Sequence, residues 1–262
     1  MFGRKCSVIG VVHLPPLPGS ASYGGSMEAV LGTALSDAMT YKDGGVDALI
    51  IENMHDVPYL RGRVEPETTA AMAVIAHAIK YETVLPIGIQ ILAGANLEAL
   101  GVAVAAGLDF LRVEGFVFAH IGDEGFHQSC AAELIRRRAI LKAEHIKIFA
   151  DIKKKHAAHA ITCDVSLVET ARNAEFFKAD GVVVTGPATG YAPDEQEVRG
   201  VRASVAAHVL VGSGVTPGNI HQLAQHADAL IVGSSAKYDG LWSNDVDPER
   251  VERLIAGLAA AV

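Results

Sequence analysis

The chain has 262 residues, half of them hydrophobic, and its 22 basic against 30 acidic side chains leave a net charge of −8. That length buries a large core in one or two domains, and the negative charge, with no basic stripe, argues against nucleic acid as a partner. No apolar run reaches the roughly eighteen residues of a membrane helix, and three cysteines without metal or redox spacing suit a reducing compartment, so a cytoplasmic protein is expected.

From the N-terminus, short runs rich in Val and Ile alternate with amphipathic stretches. Strands are expected at Cys6–His13, Val46–Asn53, Leu85–Leu92, Asp109–Glu114, Ile146–Lys153, Gly181–Thr185, Val209–Ser213 and Ala229–Gly233. Helices are expected at Ser26–Lys42, Pro66–Tyr81, Asn96–Ala106, Gln128–Ala143, Ser166–Lys178, Asp194–Ala207, Pro217–His226 and Pro248–Ala261. Asp194 is placed to cap its helix, and Thr216-Pro217 and Asp247-Pro248 set a capping side chain before a first-turn proline. Helix-to-strand turns repeat a glycine with an acid, as in Gly44-Gly45-Val46-Asp47, Gly107-Leu108-Asp109 and Ala179-Asp180-Gly181. With a first strand from Cys6, no leader peptide is expected. Eight βα units without a linker predict an α/β fold, one (β/α)₈ barrel spanning residues 1–262. A doubly wound open sheet is the alternative, but Gly-x-Gly-x-x-Gly does not follow the first strand.

Such barrels place their active site at the C-terminal strand ends, where this chain has His13, Glu52, Asn53, Gln90, Arg112, Glu114, Asp151, Lys153, Thr185 and Ser213. Alternation along the strands sets Glu52, Glu114 and Asp151 around one mouth, with Arg112 and Lys153 as counter-charges. Asp151 and Lys153, two residues apart, are expected to face one way and to transfer protons together. Glu52, Glu114 and His13 are further acid–base candidates, and Asn53, Gln90, Arg112, Thr185 and His156 are candidates to orient a substrate. An ion-pair network that only braces the barrel is the structural alternative. Lys154 and Lys155 read as solvated residues, as does the run Arg136-Arg137-Arg138.

The prolines of His13-Leu-Pro-Pro-Leu-Pro-Gly19 predict a rigid loop, and Gly115–His127 is the candidate mobile cover. Two strand ends, Gly212-Ser213-Gly214 and Gly233-Ser234, offer close-approaching backbone N–H groups to a phosphate. No cofactor is expected. A divalent metal on Glu52, Glu114, Asp151 and His13 is the open alternative, although no His-x-His pair supports it and Arg112 and Lys153 compete for the carboxylates.

Five segments together resemble the BtpA/SgcQ family: Gly10-Val-Val-His-Leu-Pro-Pro-Leu-Pro-Gly19, Asp47-Ala-Leu-Ile-Ile-Glu-Asn-Met-His-Asp-Val-Pro58, Ala150-Asp-Ile-Lys-Lys-Lys-His156, Thr185-Gly-Pro-Ala-Thr-Gly190 and Gly212-Ser-Gly-Val-Thr216. The resemblance spans nearly the whole chain and implies a ribulose-phosphate-binding barrel. Its founding member is associated with photosystem I biogenesis, and another member lies in a sugar-metabolism gene cluster. Gln90-Ile-Leu-Ala-Gly-Ala-Asn96 and Arg112-Val-Glu-Gly115 depart from the bacterial pattern and look like the subgroup that includes animal homologues. The spacing Asp151-x-Lys153-x-x-His156 is also similar to the Asp-x-Lys-x-x-Asp signature of orotidine-phosphate decarboxylases, with a different last residue.

The expected function is an isomerase, epimerase or lyase working by acid–base chemistry on a small phosphorylated metabolite, a sugar phosphate or a nucleoside-derived phosphate, with a homo-oligomer as the expected assembly. A non-catalytic assembly or stability factor is the alternative.

Overall fold

The Val- and Ile-rich runs form the strands expected of them. The computed structural model describes residues 6–186, 188 and 190–259, and in it eight parallel strands close a barrel. In ring order they are β1 (Ser7–His13), β11 (Ala229–Val232), β10 (His208–Val211), β9 (Gly181–Val184), β7 (Lys147–Ile152), β4 (Phe110–Val113), β3 (Ile87–Gln90) and β2 (Ala48–Glu52). Pairing of β1 with both β2 and β11 closes the ring and sets aside the open sheet. Helices α1 (Met27–Asp43), α2 (Pro66–Thr83), α3 (Asn96–Ala106), α4 (Ala131–Ile140), α5 (Leu167–Phe176), α6 (Glu195–Arg202), α7 (Ile220–Ala224) and α8 (Pro248–Ala259) intervene.

The glycine-and-acid turns have a physical purpose at the bottom of this barrel. Asp47 accepts the Val8 N–H of β1 at 2.9 Å, Asp109 the Ile87 N–H of β3 at 2.7 Å, and Asp180 the Ile148 N–H of β7 at 3.0 Å. Asp228 does the same for Val209 of β10 at 2.8 Å. Every second barrel strand therefore lends an aspartate to the strand before it, satisfying an N–H that the ladder leaves over. Arg138 joins this layer through Asp180 at 2.6 Å, so that member of the arginine run is an internal brace and not a solvated residue; Arg136 and Arg137 are exposed.

Inside the ring, Ile9, Ile50, Phe110, Phe149, Val183 and Leu210 belong to a dry core of their own, separate from the larger core between strands and helices. Gly88 makes room for it, because a Cβ there would run into the Phe110 ring. Above this layer the inward-facing positions turn polar.

Helix ends differ from expectation where side chains intervene. Asp194 caps α6 through the Gln196 N–H, but α6 stops at Arg202 and not at Ala207. Glu175 accepts the N–H groups of both Ala206 and Ala207 at 2.8 Å, drawing that segment out of the helix. The cap of α7 is Asn219 in place of Thr216, and its amide clamps the preceding turn by accepting from the Thr216 N–H and donating to the Gly214 carbonyl. The segment expected as a mobile cover contains a hairpin, β5 (His120–Gly122) and β6 (Gly125–His127), which adds β8 (Ala157–Ala158) from the loop after β7. The proline loop is held as expected for a rigid segment: Asp56 accepts the Leu17 N–H at 2.7 Å and Thr68 donates to the Pro18 carbonyl at 2.8 Å.

Candidate functional site

The polar layer opens into a cavity of about 610 Å³ at the C-terminal mouth, reached by His13, Glu52, Gln90, Arg112, Glu114 and Asp151 among others. Arg112 is its hub. The guanidinium lies 3.2 Å from both Asp151 oxygens through Nε and donates to Glu52 Oε1 through Nη1 at 3.3 Å. Burial raises the carboxyl pKa of Glu52 and Glu114, and in both the nearby cations (Arg112 first for Glu52, Lys154 first for Glu114) only partly offset it; the like charge of Asp151 adds a smaller upward push. The acids converge as the strand parity requires. For Glu52 and Glu114 the main perturbation is desolvation, the neighbouring cations oppose it, and the Asp151 charge ranks below the first of those cations.

His13 donates from Nδ1 to the Trp242 carbonyl at 2.9 Å, because a carbonyl can only accept. Nε2 is thereby left as the acceptor, 3.9 Å from Glu52 Oε2, and both residues line the cavity. Burial, with Lys237 adding to it, pushes the His13 pKa down to about 3, so the imidazole is neutral at pH 7.

The lysines require a correction. Strand parity places Lys153 in the mouth beside Asp151, and the structure does not. Lys153 stays outside the lining of the large cavity; its Nζ donates to the Thr162 carbonyl at 2.9 Å. The strand ends at Ile152, and Lys153 adopts a left-handed backbone with φ of 48°, which breaks the alternation that would have turned it inward. The residues expected to be solvated take its place. Lys154 pairs with Glu114 at 3.3 Å, and Lys155 reaches the cavity. Lys155 makes no ion pair within 4 Å among the described residues, and burial and the Arg112 charge lower its pKa although the three carboxylates pull the other way. His156 stands at the cavity rim and Thr185 lines the wall.

Asn53 faces away from the cavity. It donates to Asp56 at 3.0 Å and accepts the Leu92 N–H at 2.7 Å, tying the loop after β2 to the end of β3. Substrate orientation therefore does not fall to Asn53, whose parity is opposite to that of Glu52.

The two glycine strand ends lie side by side, since β10 pairs with β11, and Ser235 Oγ donates to the Val215 carbonyl across them. Gly212, Ser213, Gly214, Gly233 and Ser234 all reach the cavity. Two of their donors are already occupied: the Gly212 N–H bonds the Val184 carbonyl at 2.9 Å, and the Ser213 hydroxyl accepts from Gly186 and donates to Tyr191. Among the described residues, the N–H groups of Gly214 and Ser234 meet no protein acceptor. Gly214 has φ of +67° and its Cα packs on the Tyr191–Ala192 backbone, so only glycine fits there. Arg250 reaches the cavity beside Ser235. Pro187 and Thr189, within the Thr185–Gly190 segment, lie outside the described residues.

Several cavity residues carry no local sequence signal. Trp242 arrives on the loop after β11, which is pinned to α1 by the buried Lys237–Asp37 pair at 2.8 Å and by the Val246 N–H to Asp37. Met54, Tyr59, Leu92 and Ala93 form an apolar wall. Among the described residues, no group of three or more His, Cys, Asp or Glu side chains is arranged to hold a metal ion.

A sequence model of the BtpA family matches residues 4–260. The chain belongs to the BtpA family. A Caenorhabditis elegans protein named as mitochondrial is 45% identical over 253 residues, 95% of this chain and 91% of that one. The photosystem I biogenesis protein BtpA of Synechocystis is 37% identical over 259 residues, covering 98% and 90%. Among solved structures, phosphoribosylanthranilate isomerase of Thermotoga maritima superposes with a TM-score of 0.61 at 14% identity, covering 97% and 99%. Orotidine 5′-phosphate decarboxylase of Pyrococcus horikoshii does so with a TM-score of 0.60 at 13% identity, covering 96% and 99%. These low identities establish a shared barrel. No helix among the described residues is long and apolar enough to cross a membrane.

Proposed function

We propose that this BtpA-family barrel is an enzyme that performs acid–base isomerase, epimerase or lyase chemistry on a small phosphorylated metabolite. The observation that carries the reading is the pairing, in one cavity, of perturbed titratable groups with a neighbouring pair of unoccupied backbone donors. Gly214 and Ser234 would hold the phosphate, with Arg250 adding charge. Neutral His13 would accept a hydrogen bond from the substrate through Nε2 and orient it, and Glu52, holding its proton more tightly than a free carboxyl, would act as acid. Lys155 replaces Lys153 as the proton-transfer lysine. Its lowered pKa beside Arg112 also suits the amine for attack on a carbonyl, the first step of Schiff-base lyase chemistry. The phosphorylated compounds in the names of the two structural neighbours agree with this reading. We further infer one domain and a reducing compartment, cytoplasmic as the composition suggests or mitochondrial as the nematode relative is named. A homo-oligomer is supported by Val74, Tyr81 and Val84, which are exposed on and beside α2.

A thermal-shift screen with a phosphometabolite library tests the proposal. A ligand at a hundred times its dissociation constant should stabilise the protein by about 2.7 kcal/mol. For the compound found, Lys155→Met should abolish turnover with the shift retained, whereas Lys153→Met should leave turnover within a few-fold. A broad library without a hit would favour the assembly role suggested by the name of the Synechocystis relative.

A further inference from the structure

The cavity has two chemically different ends. In the closed ring, β10 lies four strands from β3 in either direction, so the Gly214 turn and the end of β3 face each other across the mouth. The Gly214 side offers backbone N–H groups and Arg250. The β3 side offers Leu92 and Ala93, continued by Met54 and Tyr59 from the loop after β2, and Trp242, also in the cavity lining, packs on His55 of that same loop. Tyr59 is unable to turn its hydroxyl freely to a ligand, because it donates to the Met54 carbonyl at 2.6 Å. Trp242 is a held surface: its ring packs on His55 with centroids 4.8 Å apart, and the Lys237–Asp37 pair anchors its loop.

A bare sugar phosphate suits the first end and not the second. Each hydroxyl set against Met54, Leu92 or Ala93 would lose its water without gaining a partner. A flat group with apolar faces would instead rest on this wall and on the indole. Gln90 supplies the remaining feature. It is buried at the end of β3, lines the cavity, and its carboxamide makes no hydrogen bond to the protein among the described residues. A carboxamide presents a donor and an acceptor side by side, which matches the edge of a heteroaromatic ring.

We infer that the site takes a phosphate monoester whose far end is a planar heteroaromatic group, as in a nucleoside 5′-monophosphate, with the sugar lying over Glu52, Arg112 and Asp151. This rests on the proposed phosphate site and narrows its substrate class.

Trp242 is the one tryptophan of the chain, so its fluorescence reports occupancy of the far end directly. The test titrates the protein with adenosine, guanosine, cytidine and uridine 5′-monophosphates, with ribose 5-phosphate and with inorganic phosphate, following fluorescence and calorimetric heat. At least one nucleotide should bind ten-fold or more tighter than ribose 5-phosphate and change the Trp242 emission. Trp242→Ala, followed by calorimetry, should reduce that preference to three-fold or less, and Gln90→Leu, which leaves the indole in place, should reduce it and alter the ranking of bases. Ribose 5-phosphate binding as tightly as every nucleotide would overturn the inference and leave the phosphate site standing. Nucleotides that bind without any change in Trp242 emission would overturn it in the same way. Absence of binding by all six compounds would remove both.

Discussion

Removing the guanidinium of Arg112 tests whether the mouth is held together as its geometry implies. Arg112→Met keeps most of the aliphatic stem but deletes the donors to both Asp151 oxygens at 3.2 Å and to Glu52 at 3.3 Å. The Arg112, Glu52 and Asp151 side chains are each no more than 7% exposed. Taking one partner from a buried ion pair costs about 3–5 kcal/mol, because the other charge stays behind. Two features pull the value toward the lower end. Lys155, repelled by Arg112 in the native protein, becomes free to approach the carboxylates, and Glu52 already holds its proton more tightly than usual. We expect a loss of about 3 kcal/mol at pH 7. Glu52 then loses the first of the charges that offset its burial, so its folded-state pKa moves further above the unfolded value; its protonation favours the folded state at low pH and that benefit is lost as pH rises. The deficit should therefore shrink between pH 7 and pH 5, by up to about 1.4 kcal/mol per pH unit for each carboxyl that titrates. Urea unfolding at both pH values measures it. A loss under about 1 kcal/mol at pH 7, or one of equal size at pH 5, would refute the hub.

Two further outcomes follow from the same structure. Asp228→Ala orphans the buried Val209 N–H and should cost about 1–3 kcal/mol, seen as a lower urea midpoint, with Asp228→Asn losing less than half as much because its amide oxygen still accepts; equal losses would dismiss the bottom clamp. His13 stays neutral in the folded state down to about pH 3 but takes up a proton near pH 6.5 when unfolded, so its contribution is present above pH 6.5 and lost as pH falls toward 3. Relative to His13→Gln, the native protein should lose up to about 1.4 kcal/mol per pH unit below pH 6, and parallel stability curves for the two would show that the imidazole is not held neutral.

The barrel is legible in the chain because its causes are local. Val- and Ile-rich runs with glycine near their ends announce doubly covered strands, and the aspartate just before β2, β4, β9 and β11 marks the foot of a strand. The acidic side of the mouth is legible for the same reason: parity along β2, β4 and β7 holds for as long as the backbone stays extended. It fails one residue after Ile152, where Lys153 turns left-handed, and this exchanges the roles of three adjacent lysines. Asn53 shares a strand end with Glu52 but has the opposite parity, so position along the chain alone does not bring it to the cavity. Trp242, Lys237 and Asp37 are invisible to local pattern because the pair that sets them in place joins residues 200 positions apart. Nothing near Ala206 announces that Glu175, 31 residues earlier, interrupts α6.

Everything proposed for the reaction depends on the paired ends of β10 and β11 holding a phosphate over the reactive mouth. Crystals grown without phosphate or sulfate and then soaked in inorganic phosphate address that dependence. One anion should appear within hydrogen-bond reach of the Gly214 and Ser234 N–H groups, on the side of the cavity where Arg250 stands. An anion seated elsewhere in the mouth, or none at saturating phosphate, would contradict it.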